Sequence, residues 1–446
     1  MNLSAKTPPA QTAAYLRTLP AIRERCTRVF DLAKAGQLQY FDYHPEKEQE
    51  VTAFCVDIIK RDFGTDFTKI PPHGRWRHMD AHHPRIEPLI AQWAGAPAPP
   101  STTEAAKRLL DLFMVSVLLD AGAGNQWAYT ERESGVQFAR SEGLGVAAVH
   151  MFEHGLFSGD AGQPYRVDAD GLARVTVEQV AAELQVTPQN PLVGFEGRTS
   201  LLTRLSTALR TSLEFFGPDA RPGNLIDYLE AQSLLAADGT RHVPVAALWH
   251  ALITGLQPIW PPARTALAGV PLGDVWPCAA LSSSSQDDGD GDGAALVPFH
   301  KLTGWLAYSL MEPLERLLHW RFDGVEDMTG LPEYRNGGLF LDLGVLSLKP
   351  GALPADPTTG IPRVPPSHPA VIEWRALTVI LLDRTAHALR VALAPVGAAP
   401  LTPAQLTLAQ VLESATWKGG REIAKARRSA AGGGPPIEIE SDGTLF

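Results

Sequence analysis

The sequence lacks the features that would place it among disulfide-rich, zinc-binding or membrane proteins. Its three cysteines, Cys26, Cys55 and Cys278, include no CxxC pair, so neither a disulfide framework nor a cysteine zinc site is expected. No apolar run approaches the roughly 18 residues of a membrane-spanning helix. The N-terminal stretch MNLSAKTPPAQTAAYLRTLP has no secretory apolar segment. We therefore expect a soluble, cytoplasmic protein without a membrane partner.

Basic residues are also too few for a general nucleic-acid surface. Lys plus Arg number 39 against 49 Asp plus Glu, which gives a formal net charge of −10. A nucleic-acid surface needs an excess of cations to replace counterions, so no nucleic-acid partner is expected. A small anion remains compatible with this balance, because one pocket can be locally basic. The chain also lacks the G-x-S-x-G elbow of serine hydrolases.

Helical periodicity dominates what is present. Apolar residues recur at helical spacing in the stretches 12–34, 46–60, 103–120, 134–156, 197–216, 243–256, 299–321, 371–392 and 403–416. Strand signals are limited to an Asp-Gly turn within 164–176 and the apolar stretch 338–346. The sequence therefore predicts a mostly α-helical protein with one or more large helical domains and a minor β hairpin or small sheet.

Composition and length indicate how the chain is divided. A length of 446 residues is typical of two or three domains, or of one large domain with insertions. The polar stretch SSSSQDDGDGDGAA cannot bury a core and is expected to be a flexible loop. The predicted regions are an N-terminal helical region with a His/Arg-rich loop (1–100), a central helical region (101–280), the low-complexity loop (281–296), a C-terminal helical catalytic region (297–428) and a loosely held tail (429–446).

The stretch VHMFEHG matches the inverted zincin pattern H-x-x-E-H. On a helix, His150 and His154 would face one metal ion, with Glu153 beside it as a base. The alternative is an ordinary helix end, where histidines in the last turn favour the helix dipole and Gly155 ends the helix. No third ligand segment is marked in the sequence, so we expect no metal and favour the helix end.

Two loops hold further candidates for ligand contact. The stretch PPHGRWRHMDAHHPRIEP (71–88) combines four histidines and three arginines with Trp76 and Asp80. The stretch DAGAGNQWAYTERESG (120–135) contains Trp127 beside glycines that allow close backbone approach. Ordered loops of this kind often bind ligands. A solvated basic loop is the alternative for the first stretch, and a helix cap followed by a loop is the alternative for the second.

Charges inside apolar helices form the third group of candidates. Glu373 and Arg375 stand in the almost wholly apolar stretch 371–390, where a buried charge must be paired or bind a ligand. Lys301 begins a helical face that continues through aromatic residues. The triplet Glu333-Tyr334-Arg335 is enclosed by a proline and two glycines. For the triplet, a buried salt bridge between helices is the structural alternative to a site.

Three late stretches resemble the queuosine-salvage nucleotide N-glycosylases. Phe299-His300-Lys301 is similar to the start of their F-Y-K-R-A-Q helix, the Glu-Tyr-Arg triplet to their A-D-Y-R-V-P-Q segment, and Glu373-Trp374-Arg375-Ala376 to their E-I-R-A helix. Here Glu333 replaces the aspartate and His300 the tyrosine. The resemblance covers about the last third of the chain, and it implies a helical core of the DNA-glycosylase kind and an N-glycosidase reaction.

A longer resemblance, over about residues 20–420, is to the uracil catabolism protein 4 family. The stretches that resemble it are GRWRHMDA, NPLVGFEGRTSLL, FHKLTGWLAYSLMEPLE and GLPEYRNGGLFLDLGVL. In that pathway uracil is attached to ribose phosphate and its ring is opened, which leaves a ribosylurea. The two resemblances together imply an N-glycoside hydrolase that splits ribosylurea, or its 5′-phosphate, into urea and ribose or ribose phosphate.

These resemblances imply roles for particular residues. The motif carboxylate Glu333 would stabilise positive charge on the sugar and orient water, with Asp342 as the second choice. The residues expected to bind the nucleoside- or nucleotide-like substrate are Lys301 and Arg375 at a phosphate, Tyr334 and Arg335 at the sugar, Glu373 and His300 nearby, and Trp76, Asp80 and Trp127 around the pocket. No metal or organic cofactor is required. The alternatives are a metal-dependent amidohydrolase using H-x-x-E-H and a non-catalytic ligand-binding partner of the uracil pathway.

Overall fold

A computed structural model describes residues 7–284, 293–429, 432–440 and 443 of the chain. The described residues are mostly helical with small sheets, which confirms the predicted fold class. No described helix combines the length and the apolar character needed to cross a membrane.

Helices account for most of the ordered elements in both halves of the chain. In the first half they are α1 (Pro9–Leu16), α2 (Leu19–Lys34), α3 (Glu48–Phe63), α4 (Trp76–Met79), α5 (Ile86–Ala94), α6 (Thr102–Leu118), α7 (Arg140–Glu153), α8 (Ala169–Arg174), α9 (Val177–Glu183) and α10 (Phe195–Thr211). In the second half they are α11 (Leu213–Phe216), α12 (Leu225–Ala231), α13 (Val245–Gly255), α14 (Ala279–Ser284), α15 (Lys301–Leu318), α16 (Tyr334–Asp342), α17 (Pro369–Ala392), α18 (Leu408–Val411) and α19 (Trp417–Arg427). Short 3₁₀ helices occur at Pro45–Lys47, Phe67–Lys69, Pro222–Asn224, Gln257–Ile259 and Val325–Asp327.

The strands are short and form separate small sheets. They are β1 (Phe41–Tyr43), β2 (Ala128–Thr130), β3 (Gln137–Ala139), β4 (Leu234–Leu235), β5 (Arg241–Pro244), β6 (Ala266–Leu267), β7 (Val270–Pro271), β8 (Val275–Pro277), β9 (Leu296–Pro298), β10 (Arg321–Asp323), β11 (Leu346–Leu348), β12 (Arg363–Val364) and β13 (Glu438–Ile439). The two-stranded pairs are β1–β11, β2–β3, β6–β7, β8–β9 and β12–β13, and the three-stranded sheet has the order β10-β5-β4.

The chain folds into two compact units, each built from separated segments. The first unit comprises Met1–His73, Ala263–Lys301 and Glu326–Glu440, and the second comprises Gly74–Pro262, Leu302–Val325 and Ser441–Phe446. The regions predicted from the sequence, by contrast, follow one another along the chain. Proximity in the sequence is therefore a poor guide to which charged residues meet.

Helix α17 forms the centre of the first unit. It begins with a favourable Pro369 at its first position, and the His368 ring accepts a hydrogen bond from the Ala370 N–H at 3.2 Å. Because its sequence is almost wholly apolar, its sides can be covered by other helices, and it packs against α2, α3 and α16. Its residues from Ala370 to Leu382 are all buried. The two charges it contains in this stretch must therefore find partners inside the unit.

Helix α16 approaches its neighbours closely because of glycines. The Trp374 indole N–H of α17 donates to the Gly337 carbonyl at 3.0 Å, and a Cβ on Gly337 would lie 2.7 Å from that nitrogen. On α19, a Cβ on Gly420 would lie 2.1 Å from the Arg335 carbonyl oxygen. These glycines therefore allow close helix packing.

A π-helical turn, Leu412–Thr416, connects α18 to α19. The segment is held on both sides. Before the turn, the Gln410 amide donates to the carbonyls of Phe67 at 3.1 Å and Ile70 at 3.0 Å. At its end, the Thr416 hydroxyl donates to the Asn336 side chain of α16 at 2.9 Å. The helical segment predicted at 403–416 thus begins later than expected and continues to Arg427.

The second unit is organised around α6, α7 and α10. Helix α7 packs against α4 and α6, while α10 packs against α8 and α6. Arg198 on α10 is fully buried and donates to the backbone carbonyls of Leu119 at 2.9 Å and Gly122 at 2.8 Å. In the three-stranded sheet, β5 pairs antiparallel with β4 and parallel with β10.

Both predicted strand positions are wrong. In the stretch 164–176, Asp168 caps α8 by accepting the Gly171 N–H at 2.8 Å, so the Asp-Gly pair lies inside a helix. A Cβ on Gly171 would lie 2.0 Å from the Phe157 carbonyl oxygen, so this glycine serves packing instead of a turn. In the stretch 338–346, α16 continues to Asp342, and strand structure begins only at Leu346.

The low-complexity loop and the tail are only partly described. Helix α14 extends to Ser284 and β9 begins at Leu296, while the intervening residues 285–292 lie outside the described residues. In the tail, β13 pairs in parallel with β12, and Arg363 faces Glu438. The part of the predicted loose tail described up to Glu440 therefore belongs to the first unit, whereas Gly443 belongs to the second.

The contact at Gly420 generates a prediction about stability. Gly420→Ala should lower the free energy of unfolding by about 1–3 kcal/mol, because the added methyl group would clash with the Arg335 backbone carbonyl inside α16. Chemical denaturation followed by circular dichroism measures this. The neighbouring Gly419→Ala is the control, since its Cβ would meet side-chain ends instead of backbone, those of Phe54 at 3.1 Å, Ile58 at 3.2 Å and Leu339 at 3.6 Å. An equal loss in both variants would contradict this explanation.

Candidate active site

Glu333 caps the N-terminus of α16. Its backbone is extended, and its carboxylate accepts the N–H groups of Arg335 at 2.8 Å and Asn336 at 2.6 Å. Burial raises the pKa of Glu333 above its ordinary value of 4.5, although these two N–H groups and the charges of Lys301 and Arg335 act in the opposite direction. The site thus contains a partly desolvated carboxylate at the positive end of a helix dipole.

Lys301 is the cation that the structure brings to Glu333. It is the first residue of α15, and its backbone N–H donates to the Asp274 carboxylate at 2.9 Å. Its ammonium group is close enough to Glu333 to lower the pKa of that carboxyl. Two of the predicted site residues, separated in sequence by thirty-two positions, therefore lie within electrostatic range of each other in the first unit.

Arg375 is held by an aspartate that the sequence analysis did not identify. Its guanidinium donates twice to Asp274, at 2.8 and 2.7 Å, and also to the Pro332 carbonyl at 3.3 Å. The guanidinium lies 4.1 Å from the centre of the Phe299 ring. Burial acts to raise the pKa of Asp274, but Arg375, together with the hydrogen bonds from the Lys301 backbone N–H and the Trp276 indole, holds the pKa below its ordinary value. Arg375 is thus engaged by protein groups on three sides and is poorly placed to bind phosphate.

The two predicted catalytic carboxylates lie at opposite ends of α16. Asp342 is the last residue of this nine-residue helix, and Glu333 caps its start, a separation of about 13 Å along the axis. Asp342 is buried and accepts two hydrogen bonds from Arg428, at 2.6 and 2.5 Å. Paired glycosidase carboxylates are about 5–9.5 Å apart. The geometry therefore favours Glu333 as the reacting carboxylate and an ion-pairing role for Asp342.

Glu373 and His300 are likewise occupied by the fold. Buried Glu373 accepts the backbone N–H groups of Gln39 and Tyr40, both at 3.0 Å, and its burial raises its pKa. The fully buried His300 ring lies 2.8 Å from the Leu16 carbonyl oxygen, and its φ of 45° is in the left-handed region. Both side chains stabilise the first unit instead of extending toward a ligand.

Tyr334 and Arg335 follow Glu333 at the start of α16. The Arg335 side chain is buried and donates to the Gly433 carbonyl at 2.7 Å. Its guanidinium lies 5.0 Å from the centre of the Tyr334 ring. Tyr334 itself is partly exposed. Of the triplet, Glu333 and Tyr334 therefore retain accessible surface, whereas Arg335 anchors the helix.

Trp76, Asp80 and Trp127 belong to the second unit, and each has a structural role there. The Trp76 indole donates to Asp80 at 2.8 Å. The same aspartate accepts the backbone N–H groups of Arg85 at 2.6 Å and Ile86 at 2.9 Å, and so caps α5. Trp127 is buried and donates to the Leu184 carbonyl at 2.8 Å. These contacts give all three residues a function in folding.

The H-x-x-E-H motif does not converge on one metal position. It occupies the last turn of α7, where Gly155 adopts a positive φ of 71° as the helix-end reading predicts. The His154 ring lies 3.2 Å from a Glu183 carboxylate oxygen. The His150 ring instead contacts Glu153 at 3.3 Å. The two imidazoles are therefore engaged by different carboxylates.

A different set of ligand atoms does come together in the second unit. Glu131, Glu133 and His150 each bring one ligand atom to within 4.8 Å of the others. However, the Arg85 Nε donates at 2.7 Å to the same Glu131 oxygen that lies 3.2 Å from His150. Burial acts to raise the pKa of Glu131, but these hydrogen bonds lower it to about 2. A cation there would face the Arg85 guanidinium, so the arrangement favours an ion-pair cluster.

Comparisons with known proteins cover both units. Residues 15–446 match a family described as "Protein of unknown function (DUF1688)". "Uracil catabolism protein 4" of Lachancea kluyveri is 42% identical over 447 residues, which is 97% of this chain and 98% of that protein. "Protein urg3" of Schizosaccharomyces pombe is 41% identical over 437 residues, which is 98% of this chain and 99% of that protein. The resemblance to uracil catabolism protein 4 inferred from the motifs is confirmed.

The buried ion pair generates a prediction. Asp274→Asn should lower the free energy of unfolding by about 3–5 kcal/mol, because Arg375 would remain buried without its counter-charge. Denaturant titration measures the loss. The control is Asp383→Asn on α17, the helix that carries Arg375; its partner Arg23 is about one-third exposed, so the change should cost about 1 kcal/mol or less. Similar losses for the two variants would argue against a special role for the buried pair.

Proposed function

The chain belongs to the DUF1688 family and is a relative of uracil catabolism protein 4, and from this membership we propose that it is an N-glycoside hydrolase of uracil catabolism. The substrate is ribosylurea or its 5′-phosphate, and the products are urea and ribose or ribose phosphate. The likeness of three stretches to queuosine-salvage N-glycosylases supports this reaction type. It requires no metal or organic cofactor.

The observation on which the proposal depends is the carboxylate of Glu333 beside Lys301. Breaking an N-glycosidic bond builds positive charge on C1 and the ring oxygen of the sugar. A partly desolvated carboxylate stabilises such charge more strongly than one in water. Glu333 is fixed by two backbone N–H groups, so little reorganisation is needed as the charge develops. The same carboxylate orients the attacking water and accepts its proton.

Neighbouring groups have supporting roles in this proposal. Lys301 keeps Glu333 ionised and attracts an anionic substrate such as a 5′-phosphate. Tyr334 packs against the sugar. Asp274 and Arg375 are positioning residues, because Asp274 accepts the Lys301 backbone N–H and Arg375 donates to the carbonyl that precedes Glu333. Asp342, Glu373 and His300 contribute to stability.

The reaction can be tested directly. Purified protein incubated with ribosylurea, and separately with its 5′-phosphate, should release urea, which a coupled urease assay measures. Glu333→Gln should lower kcat by about 100-fold or more, because the amide cannot stabilise the cation or accept a proton. Its carbonyl oxygen still caps α16, so the variant should stay folded and bind substrate within about tenfold of the wild-type affinity.

Asp342→Asn is the matched control, at the other end of the same helix. It should be less stable but keep kcat within about threefold, because Asp342 pairs with Arg428 and does not reach the sugar. Wild-type turnover by Glu333→Gln would disprove the assignment of this carboxylate. Loss of urea release on chelation would favour a metal-dependent amidohydrolase, and ligand binding without release would favour a non-catalytic partner.

The raised pKa of Glu333 generates a prediction about pH. As a base it must be ionised, so kcat/KM should fall as the pH drops through its pKa, which lies above 4.5. Lys301→Met should move this acidic limb toward higher pH, because the cation that lowers the pKa of Glu333 is removed. Measuring kcat/KM from pH 4 to 8 tests both points. An acidic limb that does not respond to Lys301→Met would show that another group is titrating.

A further inference from the structure

A cavity of about 300 Å³ lies wholly within the second unit. Its wall is formed by the end of α5 with the loop that follows, by α6, and by the loop between α7 and α8. The larger side chains that line it are Gln92, Trp93, Arg108, Gln163 and Tyr165, and small residues and prolines complete the wall. This volume is at the lower end of the range for small-molecule sites. The cavity therefore has room for a small organic ligand.

Aromatic rings form one side of this cavity. Trp93 is only 2% exposed, and its ring centre is 5.6 Å from that of Tyr165, with the two planes inclined at 61°. The Phe152 ring supports both, with its centre 6.4 Å from Trp93 and 6.2 Å from Tyr165. Aromatic faces held in this way offer a preformed surface to a flat ligand. The wall thus favours a planar, unsaturated body over a saturated one.

Arg108 is the lining residue that carries a charge. Its guanidinium carbon lies 5.4 Å from the centre of the Trp93 ring and 5.9 Å from that of Tyr165. Its Nε donates to the Glu104 carboxylate at 3.3 Å. Within the part of the chain that the structure describes, neither of its Nη groups donates to another residue. These two groups form the fork with which an arginine binds a carboxylate.

The charges around Arg108 indicate how much negative charge a ligand can carry. Glu104 also accepts two hydrogen bonds from Arg221, at 3.0 and 3.1 Å, and Arg221 donates to Asp111 at 2.7 Å. Burial acts to raise the pKa of Glu104, but the two arginines hold it below its ordinary value. Two acids therefore accompany two arginines. With so little surplus positive charge, a singly charged carboxylate is favoured over a doubly charged phosphate.

Tyr165 adds a second donor to the cavity. The Gln92 amide donates to the Tyr165 hydroxyl oxygen at 3.1 Å, which leaves the hydroxyl hydrogen for another acceptor. Among the described residues, no group accepts a hydrogen bond from this hydroxyl. A cationic fork, a hydroxyl donor and an aromatic wall therefore line one cavity. Each of these features suits a flat acid.

We propose that this cavity is a binding site for a planar organic monocarboxylate. The Nη groups of Arg108 hold the carboxylate, and the flat body of the ligand packs against the rings of Trp93 and Tyr165. The Tyr165 hydroxyl is a further donor to the ligand. The site goes beyond the proposed hydrolysis and depends on none of the residues assigned to it.

Binding can be tested by isothermal titration calorimetry of the full chain with benzoate as the planar carboxylate. Benzoate should bind with a Kd of about 1 mM or tighter. Three compounds each change one property of the ligand. Cyclohexanecarboxylate keeps the charge but is not flat, phenyl phosphate is flat but doubly charged, and benzamide is flat but uncharged. Each should bind at least about fivefold more weakly than benzoate, because each loses one of the matched features.

Variants assign the binding to this cavity. Arg108→Gln should weaken benzoate binding at least about tenfold, and Arg108→Lys should recover little of it, because an ammonium lacks the fork. Tyr165→Phe keeps the ring, removes the donor and should weaken binding about threefold or more. The control is Arg241→Gln, since Arg241 likewise pairs with a glutamate, Glu230 at 2.7 Å, and lies 5.9 Å from the Trp320 ring centre. It should leave the Kd within about twofold of wild type.

The outcomes that would overturn the proposal are specific. No benzoate binding at up to about 10 mM would remove the site. Equal or tighter binding of phenyl phosphate or cyclohexanecarboxylate would refute the ligand class. Unchanged binding in Arg108→Gln, or its loss in Lys301→Met, would place benzoate elsewhere in the molecule. The ranking of the four compounds on wild type decides even if an Arg108 variant fails to fold. None of these measurements needs turnover, so they stand apart from the test of ribosylurea hydrolysis.

Discussion

The buried pair of Arg375 and Asp274 is the interaction on which the arrangement of the candidate site depends. A guanidinium inside an apolar helix is tolerated only when its donors are satisfied, and here an aspartate and a carbonyl satisfy them. The same aspartate accepts the first N–H of α15, and the same guanidinium contacts the carbonyl just before Glu333. One desolvated pair thus sets the positions of Lys301 and Glu333. The aligned hydrogen bonds offset the cost of burying its charges.

The helical character of the chain could be predicted from sequence because apolar spacing is a local property. The two strand positions were predicted wrongly because the glycines in them serve contacts between segments distant in the sequence. Gly171 follows an aspartate, as in a hairpin turn, but it is required because the Phe157 carbonyl leaves no room for a side chain. Gly337 and Gly338 resemble a break before a strand, yet they lie within α16 where Trp374 and Pro436 approach. The glycines are evident in the sequence, but the groups that pack against them are not.

For the site, sequence reasoning found charged residues but could not assign their partners. It required the charges of α17 to be paired, yet Asp274 lies 101 positions before Arg375, and the backbone that Glu373 binds lies more than 330 positions away. Several residues expected to contact substrate therefore have protein partners instead. Asp274 had a weak signal, as a lone acid between apolar residues in PLGDVWP. His73 lies in a stretch interpreted as a binding loop, but its contact with Glu413, 2.6 Å from Nδ1 to Oε2, could not be predicted from either segment.

The π-helical turn before α19 also makes this part of the chain sensitive to length. Each added residue rotates the following side chains by about 100° around a helix axis. The Gln410 contacts fix the rotation of the chain about its helix axis before the turn, and the glycines of α19 that face α16 fix it after the turn. The extra residue of the π-helical turn allows both sets of contacts to form. Loss of a single residue between Leu412 and Thr416 would therefore direct Gly420 away from α16 and present a bulkier side chain to it. The packing of α19 against α16 thus depends on the number of residues in this turn as well as on their identity.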